Sequence, residues 1–557
     1  MRMILENGRL YDPMHNKSDV QETLYVEDGV MVGKESFSGK PDKVYDLKGG
    51  IVMAGAIDIH THIAGGKNNV ARLLMPELHE ATLFAPENGF RGGSSEPTMT
   101  SFSSGYRYAS MGFTAAFEPA MMPVNARQTH LELADTPIID KGAYVMMGNE
   151  DYFMDLLASK AEKKEINDYV AWMLDVTKAL AVKVVNPGAV NAFKFNQRRL
   201  DLDEKNTHYQ VTPREVILSL SRALLDLGVV HPLHVHGCNL GAAGSVQTTL
   251  DTIEAAEGMP LHITHIQFYA YGKEGDKKFS SGAVAIAEAV NKHKNISIDI
   301  GQVMFGQTMT ESGDTMQQYN GRMHANPNKW VCMDIECQGG CGLVPVKYDD
   351  DNYYNSLQWA IGLELFLLVD DPSRVFLTTD HPNAAPFTSY PRIIRLLMDR
   401  AYRNSVFDQI HPEAQRMSGL RSIQREYTLE EIAAMTRSGP AKILGLTNHG
   451  HLGAGALADI AVYQEHDNKE TMFDKPDYVF KDGVLVARNG KVLCHHQGCH
   501  EVVRPSYDMA SLKRLEAWYD SYHSISLQNT AVDLENFGGQ EDIRFREALC
   551  GERVDGR

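Results

Sequence analysis

The segment AIDIHTH places two histidines, His60 and His62, one residue apart at the end of an apolar, strand-like run. Because side chains alternate across a strand, an H-x-H pair directs both imidazoles to the same side. Asp58 precedes the pair, and the glycine-rich stretch AGGKN follows it. Imidazole nitrogen is a good zinc ligand, so His60 and His62 are predicted to bind metal.

A lysine lies inside a second apolar run, ALAVKVVNPG, at position 183. Burying a charged amine costs several kcal/mol, so such a lysine reaches solvent, pairs with an acid or changes its chemistry. A neutral amine adds carbon dioxide to form a carbamate, and an N6-carboxylysine can bridge two metal ions. Lys194, in NAFKFN, is the competing candidate. Lys183 is preferred because it lies within the strand-like run.

Two further apolar runs carry a pair of histidines each, His234 and His236 in HVH, and His262 and His265 in HITH. The member of each pair nearer the strand end, His236 or His265, is the predicted metal ligand. His234 and His262 are predicted to contact and orient the ligands or to pack in the core.

An aspartate, Asp380, follows directly after the apolar run in VFLTTDHPN. An aspartate here can simply cap a turn, and Pro382 is compatible with that alternative. The functional interpretation is that Asp380 binds metal and also transfers protons as the catalytic acid–base. His381 and Asn383, its neighbours, are candidates for substrate contact.

Together these residues predict two zinc ions bound by nitrogen and oxygen donors and joined by the carboxylated lysine. Two metal ions on one bridge lower the pKa of a shared water towards neutrality, and the resulting hydroxide can attack a carbonyl carbon. The predicted metal ligands are His60, His62, Lys183, His236, His265 and Asp380.

The elements that must position these residues alternate between strand-like and helical segments from residue 54 to residue 446. Strands that alternate with helices predict a parallel sheet, and this number of units predicts closure into a (β/α)8 barrel. The active site of such a barrel lies at the carboxyl ends of its strands. Residues 1–53 and 447–502 are rich in short β-like runs and predict one small β-sandwich domain built from both ends. Residues 503–557 are predicted to form a helical tail.

Composition restricts the class of protein. The formal charge of −18 argues against a general affinity for nucleic acid or anionic membranes. No run is long and apolar enough to cross a bilayer, so a cytoplasmic protein is expected. Seven cysteines suit a reducing compartment. The groups Cys332, Cys337, Cys341 and residues 494–500 lack the spacing of common structural metal sites, and ordinary thiols and imidazoles are the preferred interpretation.

The ordered set of H-x-H, strand lysine, two histidines and aspartate resembles the amidohydrolase superfamily. GGIVMAGAIDIHTH is similar to its opening signature, with Ala54 in place of the usual proline, and SGPAKILGL with GHLGAGALADIAVY is similar to its closing pattern. Longer segments, including HPLHVHGCNLG, HITHIQFYAYG and REYTLEEIAAMTRSGPAK, resemble one branch: the A subunits of formylmethanofuran dehydrogenases and of bacterial formyltransferase/hydrolase complexes.

This resemblance implies reversible hydrolysis of N-formylmethanofuran or formylmethylofuran to formate and the free amine, in one-carbon metabolism. It also implies partner subunits in a larger complex. Two alternatives stay open at this point: a hydantoinase- or dihydroorotase-type enzyme acting on cyclic amides, and a scaffold protein without catalysis. Scaffold relatives lose ligands, whereas every expected ligand type is present here.

Overall fold

The computed structural model describes residues 1–80, 96–335, 339–537 and 543–551. Their fold consists of a large parallel barrel, a smaller mixed sheet and a short sheet over one end of the barrel. In this part of the chain, no helix has the length and apolar character needed to span a membrane.

The barrel is built from eight parallel strands whose order in the sheet follows the chain. Each strand pairs with the next. A parallel bridge between Thr61 and His381 joins the first strand region to the last and closes the ring. The strands, numbered one to eight below, are Ala56–Asp58, Phe113–Met121, Asp140–Met146, Ala181–Val185, Leu233–His236, Leu261–Ile263, Ile296–Asp299 and Val375–Phe376. The predicted (β/α)8 barrel is confirmed.

Helices lie between and after the barrel strands and bury their apolar faces against them. Helix starts are encoded locally: Thr212 and Glu215 form a reciprocal capping box around Pro213, which suits the first helical turn. Asn352 caps the helix Tyr353–Leu368, which buries Trp359 completely. The helices are Gly66–Leu74, Ser101–Ser110, Ala126–Ala134, Asp151–Ala158, Lys163–Val176, Ala189–Lys194, Pro213–Asp226, Ser245–Ala255, Ala283–Lys292, Thr315–Gly321, Tyr353–Leu368, Tyr390–Met398, Arg400–Phe407, Pro412–Arg416, Leu429–Ala433, Gly439–Leu444, Lys469–Asp474 and Lys513–Tyr522.

The smaller sheet combines strands from both ends of the chain, as predicted. Val52 pairs with Val462 in the antiparallel ladder that joins the early half to the late half. One face of this sheet has its own apolar core, which includes Leu5, Val26 and Phe480. Its strands are Arg2–Asp12, Lys17–Glu27, Val30–Val32, Lys43–Asp46, Ile51–Ala54, Ile460–Tyr463, Tyr478–Lys481, Val484–Arg488 and Lys491–Val492.

Two strands that follow the small sheet along the chain join the barrel sheet. His500–Val502 pairs in parallel with the third barrel strand through His500 and Lys141, and Phe545–Glu547 pairs with His500–Val502. Because Val503 N–H donates to the carbonyl of Ala179, the inserted strand lies between the amino-terminal ends of barrel strands three and four. The predicted domain limits, at residues 53, 446 and 502, stay predictions.

A three-stranded antiparallel sheet lies at the carboxyl-terminal mouth of the barrel. Its strands are Gly306–Ser312, Val331–Ile335 and Gly339–Tyr348, with the last in the centre. Side chains of two of these strands line the same cavity as the strand-end histidines. This sheet therefore forms one wall of the candidate site. A small ladder, Tyr271–Gly272 with Ser280–Ser281, lies between barrel strands six and seven along the chain.

Candidate metal centre

The six predicted metal ligands lie together at the carboxyl ends of five barrel strands. His60 and His62 follow strand one, Lys183 lies in strand four, and His236 ends strand five. His265 follows strand six, and Asp380 follows strand eight. All six are at most 5% exposed.

His60, His62 and Asp380 form the tightest part of the cluster. Asp380 Oδ1 lies 2.8 Å from His60 Nε2 and 3.1 Å from His62 Nε2. Despite these distances, Oδ1 makes no hydrogen bond of acceptable geometry. A buried carboxylate oxygen without a hydrogen bond is costly, and a cation between these atoms would satisfy it.

Lys183 lies beside this group with its Nζ 3.4 Å from His60 Nε2. No carboxylate in the described part of the chain comes within ion-pair distance of its amine. Burial lowers the pKa of Lys183 to about 8, so a substantial fraction of its amine is neutral near physiological pH. The competing Lys194 ends the helix Ala189–Lys194 and points to Asp151, 3.5 Å away.

His236 and His265 complete the ring of donors. Their ring centroids are 4.7 Å apart, and His265 lies 5.5 Å from His60. His265 Nδ1 is buried without a hydrogen-bond partner. His265 and Asp380 also have left-handed backbone, with φ of +35° and +49°. Such strained conformations in non-glycine residues cluster at functional sites, and here they turn both side chains towards the cavity.

These observations fit a metal centre. Two buried atoms of the candidate ligands, Asp380 Oδ1 and His265 Nδ1, lack hydrogen-bond partners among the described residues, and the donor set contains only nitrogen and oxygen. The ligand atoms of His60, His62 and Asp380 all lie within 4.8 Å of one another. Zinc accepts this combination of imidazole and carboxylate donors.

Glu118 of strand two, which sequence reasoning did not identify, orients His62. Its Oε1 lies 2.9 Å from His62 Nδ1 and 2.8 Å from Lys67 Nζ. Burial alone would raise the pKa of Glu118, but the charge of Lys67 and the contact with His62 hold it well below its ordinary value. His62 Nδ1 therefore donates to a carboxylate, and its Nε2 keeps a lone pair. The available signal was a lone acid inside the apolar strand FTAAFEPAM.

Two more acids support the remaining histidines. Asp299, at the end of strand seven, accepts from His262 Nε2 at 3.0 Å and from the backbone N–H of His265 at 2.9 Å. Asp314 lies 3.1 Å from His236 Nε2. Both acids were overlooked because their partners lie far away in the sequence.

The residues predicted around the ligands take different positions. His234 and His262 are fully buried inside the barrel. His381 packs its ring on Phe387, with centroids 4.8 Å apart, and its carbonyl accepts from the N–H of His62. Its side chain is not part of the cavity wall, whereas Asn383 is. Asn383 Oδ1 accepts from the backbone N–H of Glu311 at 2.7 Å.

A cavity of about 810 Å³ opens over the ligand cluster. This volume is typical of sites for small molecules and cofactors. Its inner wall contains His62, Lys183 and Asp380, and its outer wall contains aromatic rings, including those of Phe268 and Tyr354. The cavity thus joins the candidate metal ligands to a wall that contains both polar side chains and aromatic surface.

The cysteine-rich segments do not form a second centre among the described residues. Cys337 lies outside them. Cys494 contacts the carbonyl of Leu485, and the imidazole of His496 contacts Asp482. None of the convergent donor groups in the described ranges contains a cysteine.

Outside the barrel mouth, the side chains of Asp140, His449 and Glu501 also converge, but neighbouring cations already compensate their negative charge. Lys481 Nζ lies 3.0 Å from Asp140, and Arg546 bonds to both Asp140 and Glu501. The group is therefore a buried ion network between the barrel and the late strands.

Comparison with known proteins agrees with this geometry. A family model described as amidohydrolase family matches residues 43–493. The chain is 40% identical over 551 residues to the A subunit of the formyltransferase/hydrolase complex Fhc of Methylorubrum extorquens, covering 97% of this chain and 99% of that protein. It is 38% identical over 558 residues to protein FwdA of Methanocaldococcus jannaschii, covering 96% and 97%.

A solved structure agrees as well. The crystal structure of the formyltransferase/hydrolase complex FhcABCD from Methylorubrum extorquens with methylofuran contains a chain that matches with a TM-score of 0.93 at 39% identity. The match covers 99% of this chain and 100% of that one. From the matched family model and these near full-length relatives, the chain belongs to the amidohydrolase family.

Proposed function

We propose that this protein hydrolyses the formamide bond of an N-formylated furfurylamine cofactor, formylmethanofuran or formylmethylofuran, to formate and the free amine. The observation that carries the proposal is the cluster of six buried donors at the barrel mouth, two of whose atoms have no hydrogen bond. The near full-length similarity to one component of a formyltransferase/hydrolase complex supports the choice of substrate. A structure of that complex contains methylofuran.

In this proposal His60, His62, His236, His265, Asp380 and a carbamate on Lys183 hold two zinc ions. When bound, zinc polarises a carbonyl and lowers the pKa of water. Lys183 suits the carbamate because it is buried and no carboxylate of the described residues lies within ion-pair distance of its amine.

The protein's own groups then handle the protons. Asp380, whose carboxylate lies beside His60 and His62 at the base of the cavity, accepts a proton from the attacking water. It returns this proton to the amide nitrogen as the C–N bond breaks. Water adds its oxygen to the formyl carbon, and the formic acid that leaves gives its remaining proton to the amine, so the products are formate and the protonated amine. Glu118 keeps the Nδ1 proton of His62 in place throughout.

The outer cavity selects the rest of the substrate. Phe268 and Tyr354 present aromatic surface in its wall, and a flat furan-type ring is suited to pack against them. The ligand cluster at the base and these aromatic rings together favour a linear amide carried on an aromatic group.

We also propose that the protein works with partner subunits, because its relative is named as one component of a complex. The test is therefore made on protein purified from its native host with its co-eluting subunits. Formate release from N-formylfurfurylamine cofactors is measured beside ring opening of hydantoin and dihydroorotate. Formate release alone supports the proposal, and turnover of the cyclic amides alone would overturn it.

A further inference from the structure

Three buried imidazoles form a continuous hydrogen-bonded file behind the candidate metal centre. His60 Nδ1 lies 2.8 Å from His234 Nε2, and His234 Nδ1 lies 3.1 Å from His231 Nε2. At the far end, His231 Nδ1 lies 3.3 Å from the carbonyl oxygen of Ile443. All three histidines are at most 1% exposed.

The carbonyl oxygen at the end of this file determines which atom donates each hydrogen bond along it. A carbonyl oxygen only accepts, so His231 must carry its proton on Nδ1. Burial lowers the pKa of His231 to about 3, and the ring is therefore neutral with a lone pair on Nε2. That lone pair accepts from His234 Nδ1–H.

The same reasoning continues to the metal centre. With its proton on Nδ1, His234 has a lone pair on Nε2. This lone pair accepts from His60 Nδ1–H. His60 is then left with a lone pair on Nε2, the atom that faces Asp380 and Lys183.

Two other groups contact His60 Nδ1. Asp299 Oδ2 lies 3.6 Å away and, as a carboxylate, can only accept, so it favours the same proton position. The hydroxyl of Thr264 also contacts this nitrogen and can serve as an acceptor. None of these contacts requires the opposite tautomer.

We propose that His231 and His234 are positioning residues that fix the tautomer of His60, so that its Nε2 is held ready for a metal ion. Because the file ends at a carbonyl that has no proton to give, it orients His60 and does not conduct protons away. The inference rests on the proposed metal centre, for which His60 is a ligand, and extends it to residues that lie outside the cavity.

The first test measures metal affinity, by titrating metal-free protein with Zn²⁺ or Co²⁺ against a chelator in bicarbonate buffer. His231→Phe keeps a ring of similar shape but cannot accept from His234. We expect affinity to fall by about 10–100-fold, the usual effect of losing a residue that orients a metal ligand. His231→Gln offers both an acceptor and a donor, so it should restore affinity to near the wild-type value.

A matched control separates this role from core packing. His130 is a fully buried imidazole bonded to the carbonyl of Thr177 and to His500, away from the candidate centre. His130→Phe should lower thermal stability but leave metal affinity and the Co²⁺ absorption spectrum unchanged. Equal affinity in the wild type, His231→Phe and His130→Phe would overturn the inference while leaving the metal centre intact. Absence of metal uptake by the wild type would overturn both.

A direct measurement avoids variants altogether if His231→Phe does not fold. Neutron diffraction from a deuterated crystal locates the exchangeable deuterium atoms on each ring. We expect deuterium on Nδ1 of His231, His234 and His60, and none on their Nε2 atoms. Deuterium on Nε2 of His234 would contradict the proposed direction of the file.

Discussion

Replacing Lys183 by methionine should change metal binding and the stability of the metal-free protein in opposite directions. Methionine has a similar length and is apolar, so it fills the same space without a charge. Lys183 is 2% exposed and has no carboxylate of a described residue within ion-pair distance. Replacing buried ionic groups by apolar residues of similar volume is often neutral or stabilises the protein by about 1–4 kcal/mol.

In the proposed centre, the carbamate of Lys183 is the donor shared by both metal ions, so its loss should remove most of the bound metal. The metal-free variant should nevertheless melt a few degrees higher than metal-free wild type, since about 1 kcal/mol corresponds to about 2–4 °C in a domain of moderate size. Metal analysis and scanning calorimetry measure the two effects separately.

Lys194→Met is the matched control. Lys194 is only partly buried and contacts Asp151 outside the ligand cluster, so its replacement should leave metal content unchanged. After growth with ¹³C-bicarbonate, a carbamate resonance should be present in the wild type and in Lys194→Met but absent from Lys183→Met. Equal metal content in the two variants would refute the assignment of Lys183 as the shared donor.

Three further predictions concern buried charges. Glu118→Gln leaves the ammonium of Lys67 without its counter-charge, which should destabilise the metal-free protein by about 3–5 kcal/mol in urea unfolding, and an unchanged midpoint would contradict this. Burial raises the pKa of Glu150 from 4.5 to about 8, so the folded state holds a proton that the unfolded state releases, and stability should fall as pH rises across this interval. The free energy of unfolding of Glu150→Gln relative to that of the wild type should therefore increase between about pH 5 and 9, by at most about 4–5 kcal/mol. A difference in melting temperature that does not change with pH would argue against this prediction. Lys481→Met leaves Asp140 and its neighbours with one cation fewer and should cost about 3–5 kcal/mol at neutral pH; a calorimetric loss below about 1 kcal/mol would show that Arg546 alone suffices.

The shared location of the candidate ligands could be predicted because barrel geometry brings the ends of separate strands to one face. Each candidate lay at the end of an apolar run, and parallel strands place those ends at one face. The choice between Lys183 and Lys194 followed from the same rule, and the structure places Lys183 in strand four and Lys194 in a helix.

Backbone detail at the ligands could not be predicted. Strand six ends at Ile263, so His265 lies beyond it, where strand alternation no longer fixes its direction. Its left-handed φ of +35° turns the ring towards His236. Nothing in the run HITH indicates that turn, because histidine adopts this conformation only where the surroundings impose it.

The supporting acids were missed for a different reason. Glu118, Asp299 and Asp314 each act on a histidine that lies 37 to 78 residues away. A single acid in an apolar strand has several interpretations until its partner is known. Inspection of every acid inside or at the end of an apolar strand-like run would have found Glu118 and Asp299, at the cost of many false candidates.

The strands His500–Val502 and Phe545–Glu547 have a consequence for how the molecule is made. Since His500–Val502 lies between the amino-terminal ends of barrel strands three and four, the hydrogen bonds of Cys499 and Val503 to Lys141 and Ala179 cannot form until more than 500 residues have been synthesised. On the ribosome, all eight barrel strands emerge well before His500–Val502 does. Until then the amino-terminal ends of strands three and four lack this partner, and we expect a chaperone that shields them during synthesis to raise the yield of native protein.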